Sequence, residues 1–291
     1  MEKLNNNNLK IAIQKDGRLT TETLDFLRKA GFEFESSKQK LFSICRNFPI
    51  EIIYVRYDDI PKYVSSGTVD LGIIGQNFLN EEQPEVKKLL NLRYGFCSLA
   101  VAVPKESTIT TLSDLCNATI ASSYPNSTKA FFKQKNIPVN VITINGSVEI
   151  IPALGVADAI ADLVSTGSTL ALNDLRILET IYESEAILIA NKQSITNGRK
   201  VLLEKFMTRL NGVLAAKAYK YVMMNAPRTI LSEIKKVIPG LKSPTVSPLA
   251  TDGWISIQTV IKEDIFWETI EKIKQLGATG IIVLPIEKII I

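Results

Sequence analysis

The chain has 291 residues, more than one average domain, and its 46% hydrophobic and 22% charged residues are ordinary for a globular protein with two or three cored domains. Its 34 basic and 30 acidic residues leave a net charge of only +4, spread without a Lys/Arg run, which argues against a nucleic-acid surface and leaves small anionic substrates open. The chain has no histidine, which excludes His-based general bases, Ser-His-Asp and Cys-His nucleophiles and most transition-metal sites; any chemistry rests on carboxylates, amides, hydroxyls and cations.

The N-terminal MEKLNNNNLK holds no apolar core of signal-peptide length, and nowhere do about 18 apolar residues run together as a membrane span requires, so a cytoplasmic location is expected. After a polar tract at Asn5–Asn8, alternation over Leu9–Ile13 predicts a strand, then a basic loop, Gln14-Lys15-Asp16-Gly17-Arg18, then a helix from Thr21 to Ala30 closed by Gly31. α/β domains present ligands at such strand ends, so Lys15 and Arg18 read either as phosphate contacts or as solvated cations. Ile50–Val55 is a second strand and runs into the charged loop Arg56–Pro61, where Asp59 suits a helix cap and Pro61 a first helical turn, while Arg56 has no such local duty. Val69–Gly75 predicts a buried strand ending on Gly75, which either lets a backbone approach a flat ligand or makes a turn. A long β-rich segment follows over Tyr94–Val103. Cys45, Cys97 and Cys116 are widely spaced and unpaired in sequence, so neither a disulfide framework nor a zinc site is expected.

From Pro104 the composition changes. A strand at Thr119–Ala121 leads through the hydroxyl-rich Ser122–Thr128, which includes Tyr124, into a helix reaching Lys135; Val139–Ile144 is the next strand. The stretch Glu149–Leu170 then reads as strand, tight loop, helix. Ile160–Val164 is an apolar run broken by Asp162, a carboxylate that is costly to bury without a partner. Behind it stand five small residues, Ser165-Thr166-Gly167-Ser168-Thr169, and a segment with helical spacing over Leu170–Leu178. Free backbone N–H groups in such a loop make a phosphate cup; equally, Thr166 or Ser168 caps the helix and Gly167 eases the turn. An acid one strand-end before the loop suits a sugar phosphate, the acid accepting ribose hydroxyls while the loop holds the phosphate. The 104–180 unit thus carries two phosphate-competent loops. Ala186–Asn191 reads as a strand returning to the first unit, which makes that unit discontinuous across a two-segment hinge.

One long amphipathic helix is predicted over Leu202–Met224. The remainder alternates as helix Arg228–Val237, a strand near Thr245-Val246, a turn at Asp252-Gly253, strand Trp254–Val260, helix Ile265–Leu276 and strand Gly280–Pro285; with a strand supplied before it, this approximates the βαββαβ order of a ferredoxin-like module. Such a module suits a regulatory or oligomerisation role. The expected boundaries are 1–103 with 181–222 for the first lobe, 104–180 for the second, and 223–291 for the C-terminal domain.

Several motifs in order give the chain a family likeness: Lys15-Asp16-Gly17-Arg18-Leu19, Val55–Pro61, Asp70–Gly75, Ser123-Tyr124-Pro125, then Glu149, Gly155, Asp162-Leu163 and Thr166–Leu170, and finally Phe266-Trp267-Glu268 and Leu284–Lys288. In these the chain resembles the long-form ATP phosphoribosyltransferases, which make the first intermediate of histidine biosynthesis. One position departs from the family: Asn126 follows Tyr124-Pro125 where a His is frequent. The resemblance implies an α/β fold of two lobes of the type II periplasmic-binding-protein kind, plus a ferredoxin-like βαββαβ regulatory domain. It implies transfer of the 5-phosphoribosyl group from phosphoribosyl diphosphate to N1 of ATP with Mg²⁺, which is carried with the diphosphate rather than by assigned protein ligands. On this reading Ser165, Thr166, Gly167, Ser168 and Thr169 hold the 5-phosphate, and Asp162 with Glu149 takes the ribose hydroxyls. Lys15, Arg18, Arg56, Gly75 and Tyr124 face ATP and pyrophosphate, with Asp162, Glu149 and Arg18 as the catalytic set. It further implies feedback inhibition by histidine around Ser247, Leu249, Ala250 and Asp252, and homo-oligomers from dimer to hexamer. Two other classes share parts of the sequence pattern: a two-lobed binder of small anions without catalysis, and a regulatory subunit that reports histidine alone.

Overall fold

The computed structural model describes residues 7–37, 39–193, 199–238 and 240–290. The expected polar tract at Asn5–Asn8 lies outside the described residues up to Asn6, and so does Pro239. The chain divides into two compact units, Met1–Asp25 with Glu33–Val201, and Phe26–Phe32 with Leu202–Ile291. The described residues contain no helix long and apolar enough to cross a membrane.

Unit one begins with β1 (Leu9–Gln14), α1 (Arg18–Lys29, counted to Asp25), β2 (Phe42–Ile44), β3 (Ile50–Val55), α2 (Ile60–Ser65), β4 (Leu71–Gly75), α3 (Gln76–Glu82) and β5 (Lys87–Asn91). It continues with β6 (Cys97–Pro104), β7 (Thr119–Ser122), α4 (Pro125–Gln134), β8 (Asn140–Thr143), β9 (Ala159–Val164), α5 (Ser168–Leu172), β10 (Leu175–Ser184) and β11 (Ala186–Ala190). These strands make two sheets, ordered β2-β3-β1-β4-β11-β5 and β10-β6-β9-β7-β8.

One topology is used twice. In the first sheet β3, β1 and β4 are parallel and β11 enters antiparallel beside β4; in the second, β8, β7 and β9 are parallel and β6 enters antiparallel beside β9. The strand inserted in each sheet is the one that has just crossed from the other, which is the type II two-lobed order. The chain crosses at residues 92–96 and again at Glu185, giving the two-segment hinge. β4 and β11 are buried at every residue and so read as unbroken apolar runs instead of alternating ones.

Two expectations change here. The sequence placed residues up to 103 with the first lobe, yet Cys97–Pro104 pairs into the second sheet, as does Leu175–Ser184. The helix expected over Leu170–Leu178 stops at Leu172; Asp174 takes a left-handed φ of 51° and the chain turns into β10, whose pairing along β6 outweighs a short helical spacing.

The C-terminal unit contains α6 (Lys200–Ala216, counted from Leu202), β12 (Tyr219–Pro227), α7 (Leu231–Val237), β13 (Thr245–Pro248), β14 (Trp254–Lys262), α8 (Glu263–Gln275) and β15 (Thr279–Pro285). Its antiparallel sheet, ordered β13-β14-β12-β15, is the ferredoxin-like βαββαβ arrangement. Val222, Met224 and Ala226 alternate onto one face and pack with Ile255, Ile257, Phe266 and Ile273 beneath the two helices. The long helix expected over Leu202–Met224 is therefore two elements: it ends at Ala216, and Tyr219 onward is a central strand. Lys, Met and Ala favour helix locally, but burial at period two between β14 and β15 decides the outcome. In the same unit Phe32 stacks on Phe206 at 5.2 Å, with the Arg209 guanidinium 5.2 Å from the Phe32 ring centre and donating to Gly31 O at 3.1 Å.

Candidate active site

The second-lobe strand β9 supplies the acid. Ile160 packs with Val148 and Leu170 on one face of the sheet, Ala159 and Ala161 on the other. Period two therefore brings Asp162, at the strand's carboxyl end, to the face of the short turn Val148–Ile150 that carries Glu149. Burial pushes the Asp162 carboxyl above its ordinary value and Glu149 adds to this, while the Leu163 N–H and the Arg18 guanidinium act the other way.

Beyond it the chain makes the tight small-residue loop. Gly167 adopts φ +74° as the N-cap of α5, with open space where a Cβ would stand. No side chain caps this helix; Thr166 Oγ1 and Ser168 Oγ instead hydrogen-bond to each other at 2.9 Å. Of the two readings the sequence allows, the capping one is not realised. The loop, Asp162, Glu149, Ser147 and Arg18 wall a cavity of about 240 Å³, with Ser165, Thr166, Gly167 and Thr169 among its lining and Ser168 outside it.

A second cavity, of about 370 Å³, adjoins it; Arg18, Leu163 and Ser165 line both. It is more apolar, with Leu19, Phe96, Tyr57 and Tyr124 around it and Gly75, Gly95 and Asn77 at its floor. Arg18, the first residue of α1, reaches from the first lobe to donate to Ser165 Oγ at 3.3 Å.

A buried polar chain fixes the floor. The Gly75 N–H donates to Tyr57 Oη at 2.9 Å, the Asn77 N–H donates to Ser184 Oγ at 2.9 Å, Ser184 Oγ donates back to Asn77 Oδ1 at 3.1 Å, and Asn77 Nδ2 donates across the lobes to Tyr124 Oη at 3.1 Å. Burial pushes the Tyr57 phenol up to about 12 and raises Tyr124 and the Cys97 thiol as well, so these groups stay neutral hydrogen-bonding partners near pH 7. A side chain at 75 would force its neighbours to shift: an added Cβ would lie 2.1 Å from Asn77 Oδ1 and 2.8 Å from Tyr57 Oη.

Lys15 and Arg56 stand apart from this pair of cavities. Lys15 lines a different one, with Thr20, Ser36 and Tyr54 among its neighbours, and Arg56 is exposed at the start of the turn before α2. Asp59 occupies the N-cap position of α2 without a side-chain cap bond and pairs with Lys62 instead. The second loop expected to take phosphate is closed by its own contacts: Ser122 Oγ donates to Ala161 O, Ser123 Oγ to Ile144 O and Thr128 Oγ1 to Tyr124 O. In the C-terminal unit Ser247 lies on β13 opposite Ser256, the Leu249 N–H donates to Trp254 O, and Ala250 and Asp252 lie in the exposed turn between β13 and β14.

Sequence reasoning missed Tyr57 and Asn77 as site residues, although both follow the carboxyl ends of strands, the positions where α/β ligands bind. Among the described residues no group of three or more Cys, Asp or Glu side chains is placed to hold a metal by itself. Asp162 and Glu149 are the two carboxylates that line the small cavity.

The repeated two-lobe order with a ferredoxin-like C-terminal domain defines the class: a two-lobed type II α/β body carrying an appended βαββαβ module. The family model described as HisG, ATP phosphoribosyltransferase, matches residues 56–212, and that of the HisG C-terminal domain matches residues 216–288. The ATP phosphoribosyltransferase of Bacteroides fragilis is 45% identical over 97% of this chain and 100% of its own, and that of Cytophaga hutchinsonii 43% identical over 97% and 98%. Among solved structures, the ATP phosphoribosyl transferase (HisG:HisZ) complex from Thermotoga maritima is 28% identical, with a TM-score of 0.59 over 70% of this chain and 96% of that one. The chain belongs to the ATP phosphoribosyltransferase family and is an enzyme, a transferase; the purely binding and purely regulatory readings give way to this.

Proposed function

We propose that the chain transfers the 5-phosphoribosyl group of phosphoribosyl diphosphate to N1 of ATP, releasing pyrophosphate, as the first step of histidine biosynthesis. The observation that carries this reading is the junction of two cavities: a small polar one with Asp162 and the Ser165–Thr169 loop, and a larger, more apolar one with Tyr57 and Tyr124, sharing Arg18, Leu163 and Ser165 as their common wall. A sugar phosphate fits the first and an adenine the second, which brings C1 of the ribose and N1 of the base to the shared wall.

The chemistry needs no strong base. The lone pair of N1 forms the new bond to C1 as the C1–O bond breaks and pyrophosphate leaves with that electron pair. Positive charge gathers on the ribose in the transition state, and ionised Asp162 beside it stabilises that charge while accepting ribose hydroxyls. Arg18 faces the phosphate charge, Glu149 supports the same ribose edge, and the loop N–H groups anchor the 5-phosphate so that alignment does most of the work. Tyr124 and Gly75 face the base, with Lys15 and Arg56 more peripheral. When present, Mg²⁺ would neutralise the diphosphate, Asp162 and Glu149 being the protein groups that would hold it.

Feedback by histidine at the β13–β14 turn, with Ser247, Leu249, Ala250 and Asp252, belongs to the same reading. So does assembly from dimer to hexamer, which exposed Ile282 and Leu284, on the sheet face away from the helices of the C-terminal unit, support as a contact face. The decisive assay incubates the protein with ATP, phosphoribosyl diphosphate and Mg²⁺, with pyrophosphatase to draw the equilibrium, and follows phosphoribosyl-ATP. A folded protein that makes none of it sinks the proposal.

A further inference from the structure

Glu81 lies in the last turn of α3 in the first lobe and is buried, 6% exposed, yet it lines neither cavity. Its carboxylate crosses to the second lobe and sits on the N-terminus of α4. Oε1 accepts the Asn126 N–H at 2.8 Å and Oε2 the Ser127 N–H at 2.9 Å, while Asn126 Nδ2 returns a bond to the Glu81 carbonyl at 3.2 Å. The α4 N-terminus carries positive partial charge and unpaired N–H groups, and Glu81 satisfies both. The Tyr182 hydroxyl donates to Ser127 Oγ at 3.3 Å and closes the cluster.

The flanking elements show what this contact governs. α3 begins at Gln76, directly after Gly75, and α4 begins at Pro125, directly after Tyr124; Gly75 and Tyr124 line the larger cavity from opposite lobes. The spacing of the two walls is thus the spacing of α3 and α4, fixed at the cavity by Asn77 to Tyr124 and about one helical turn behind it by Glu81. We infer that Glu81 is a positioning residue for the reaction: a latch between the lobes that holds the cleft at its substrate-competent width before substrate arrives. This also gives Asn126 a role, since its amide faces Glu81 and not the phosphate. The inference rests on the proposed reaction for its kinetic reading only.

With the latch weakened, fewer unliganded molecules have the competent width, so apparent affinity falls by the competent fraction while saturated turnover stays. The test uses full-length Glu81→Gln, which removes the charge and one acceptor, and Asn126→Asp, which sets a second carboxylate against Glu81 while leaving the buried Glu81 in place. The expected result is a KM for ATP raised about tenfold with kcat within about twofold of the parent, and a calorimetric Kd for ATP that moves with KM. Small-angle scattering should show a larger radius of gyration for the unliganded variants than for the parent, returning to the parent value at saturating ATP. Lower thermal stability with unchanged KM, Kd and radius would make Glu81 only a cap for α4 and overturn the inference. Should the parent protein prove inactive with these substrates, the scattering of unliganded parent and variants still decides the latch.

Discussion

At the scale of single residues, Asp162 carries the sharpest expectations. Its carboxyl is raised above the ordinary value chiefly by burial, so ionising it costs the folded state stability: that stability is fully present below the unfolded value and lost as pH rises through the folded one. Asp162→Asn should therefore stabilise the fold at neutral pH, read as a higher Tm, while lowering turnover at least tenfold, about 1.4 kcal/mol. The parent's acid-side activity should fall with an apparent pKa above that of an ordinary aspartate, and that limb should vanish in the variant. A variant that keeps both its turnover and its acid limb removes Asp162 from the site. Gly75 gives an independent check, because Gly75→Ala must displace the Asn77 side chain and so break its bond to Tyr124. A loss of about tenfold to a hundredfold in kcat/KM for ATP is expected from such a misplacement, with kcat/KM for phosphoribosyl diphosphate less affected.

Secondary-structure elements show where local pattern sufficed and where it did not. The strand carrying Asp162 and the loop behind it were legible because burial on both faces leaves an unbroken apolar run, in which one carboxylate stands out, and because five small residues in a row have few other uses. The two misread helices share one physical cause. Ala171-Leu172 and Met223-Met224 belong to residue types that favour helix, and the partners that make Leu175–Ser184 and Tyr219–Pro227 strands lie tens of residues away, where no window along the chain includes them. Glu81 was invisible for the same reason: a Glu near the end of an unremarkable segment becomes a cap only when a helix 44 residues further on is set against it. The strand assignment at Tyr219–Pro227 is testable by truncating the fully buried Met224, which should cost about 2–5 kcal/mol. Hydrogen exchange should show that loss in β12, β14 and β15 together, whereas a helix continuing to Met224 would transmit it toward Ala216 alone.

For the whole molecule, the division into two units decides how regulation is to be tested. The feedback reading places histidine on the β13–β14 turn, in a module whose core of Val222, Met224, Ile255, Ile257 and Phe266 is its own. A truncation after Val222, where the sequence pattern sets the boundary, cuts through the central strand of that module and leaves Tyr219–Val222 of β12 with no neighbours on either side. Exposed half-strands of this kind aggregate, so loss of inhibition in such a protein would be uninformative. A cut after Lys217 removes the whole sheet and leaves α6, whose partner Phe32 lies upstream. That truncated protein should retain catalysis of phosphoribosyl-ATP formation and respond to histidine no longer, measured as initial rate against histidine concentration. Inhibition that survives the cut would move the effector site out of the ferredoxin-like module and into the two-lobed body, where the cleft width set by α3 and α4 would be the natural thing for it to act upon.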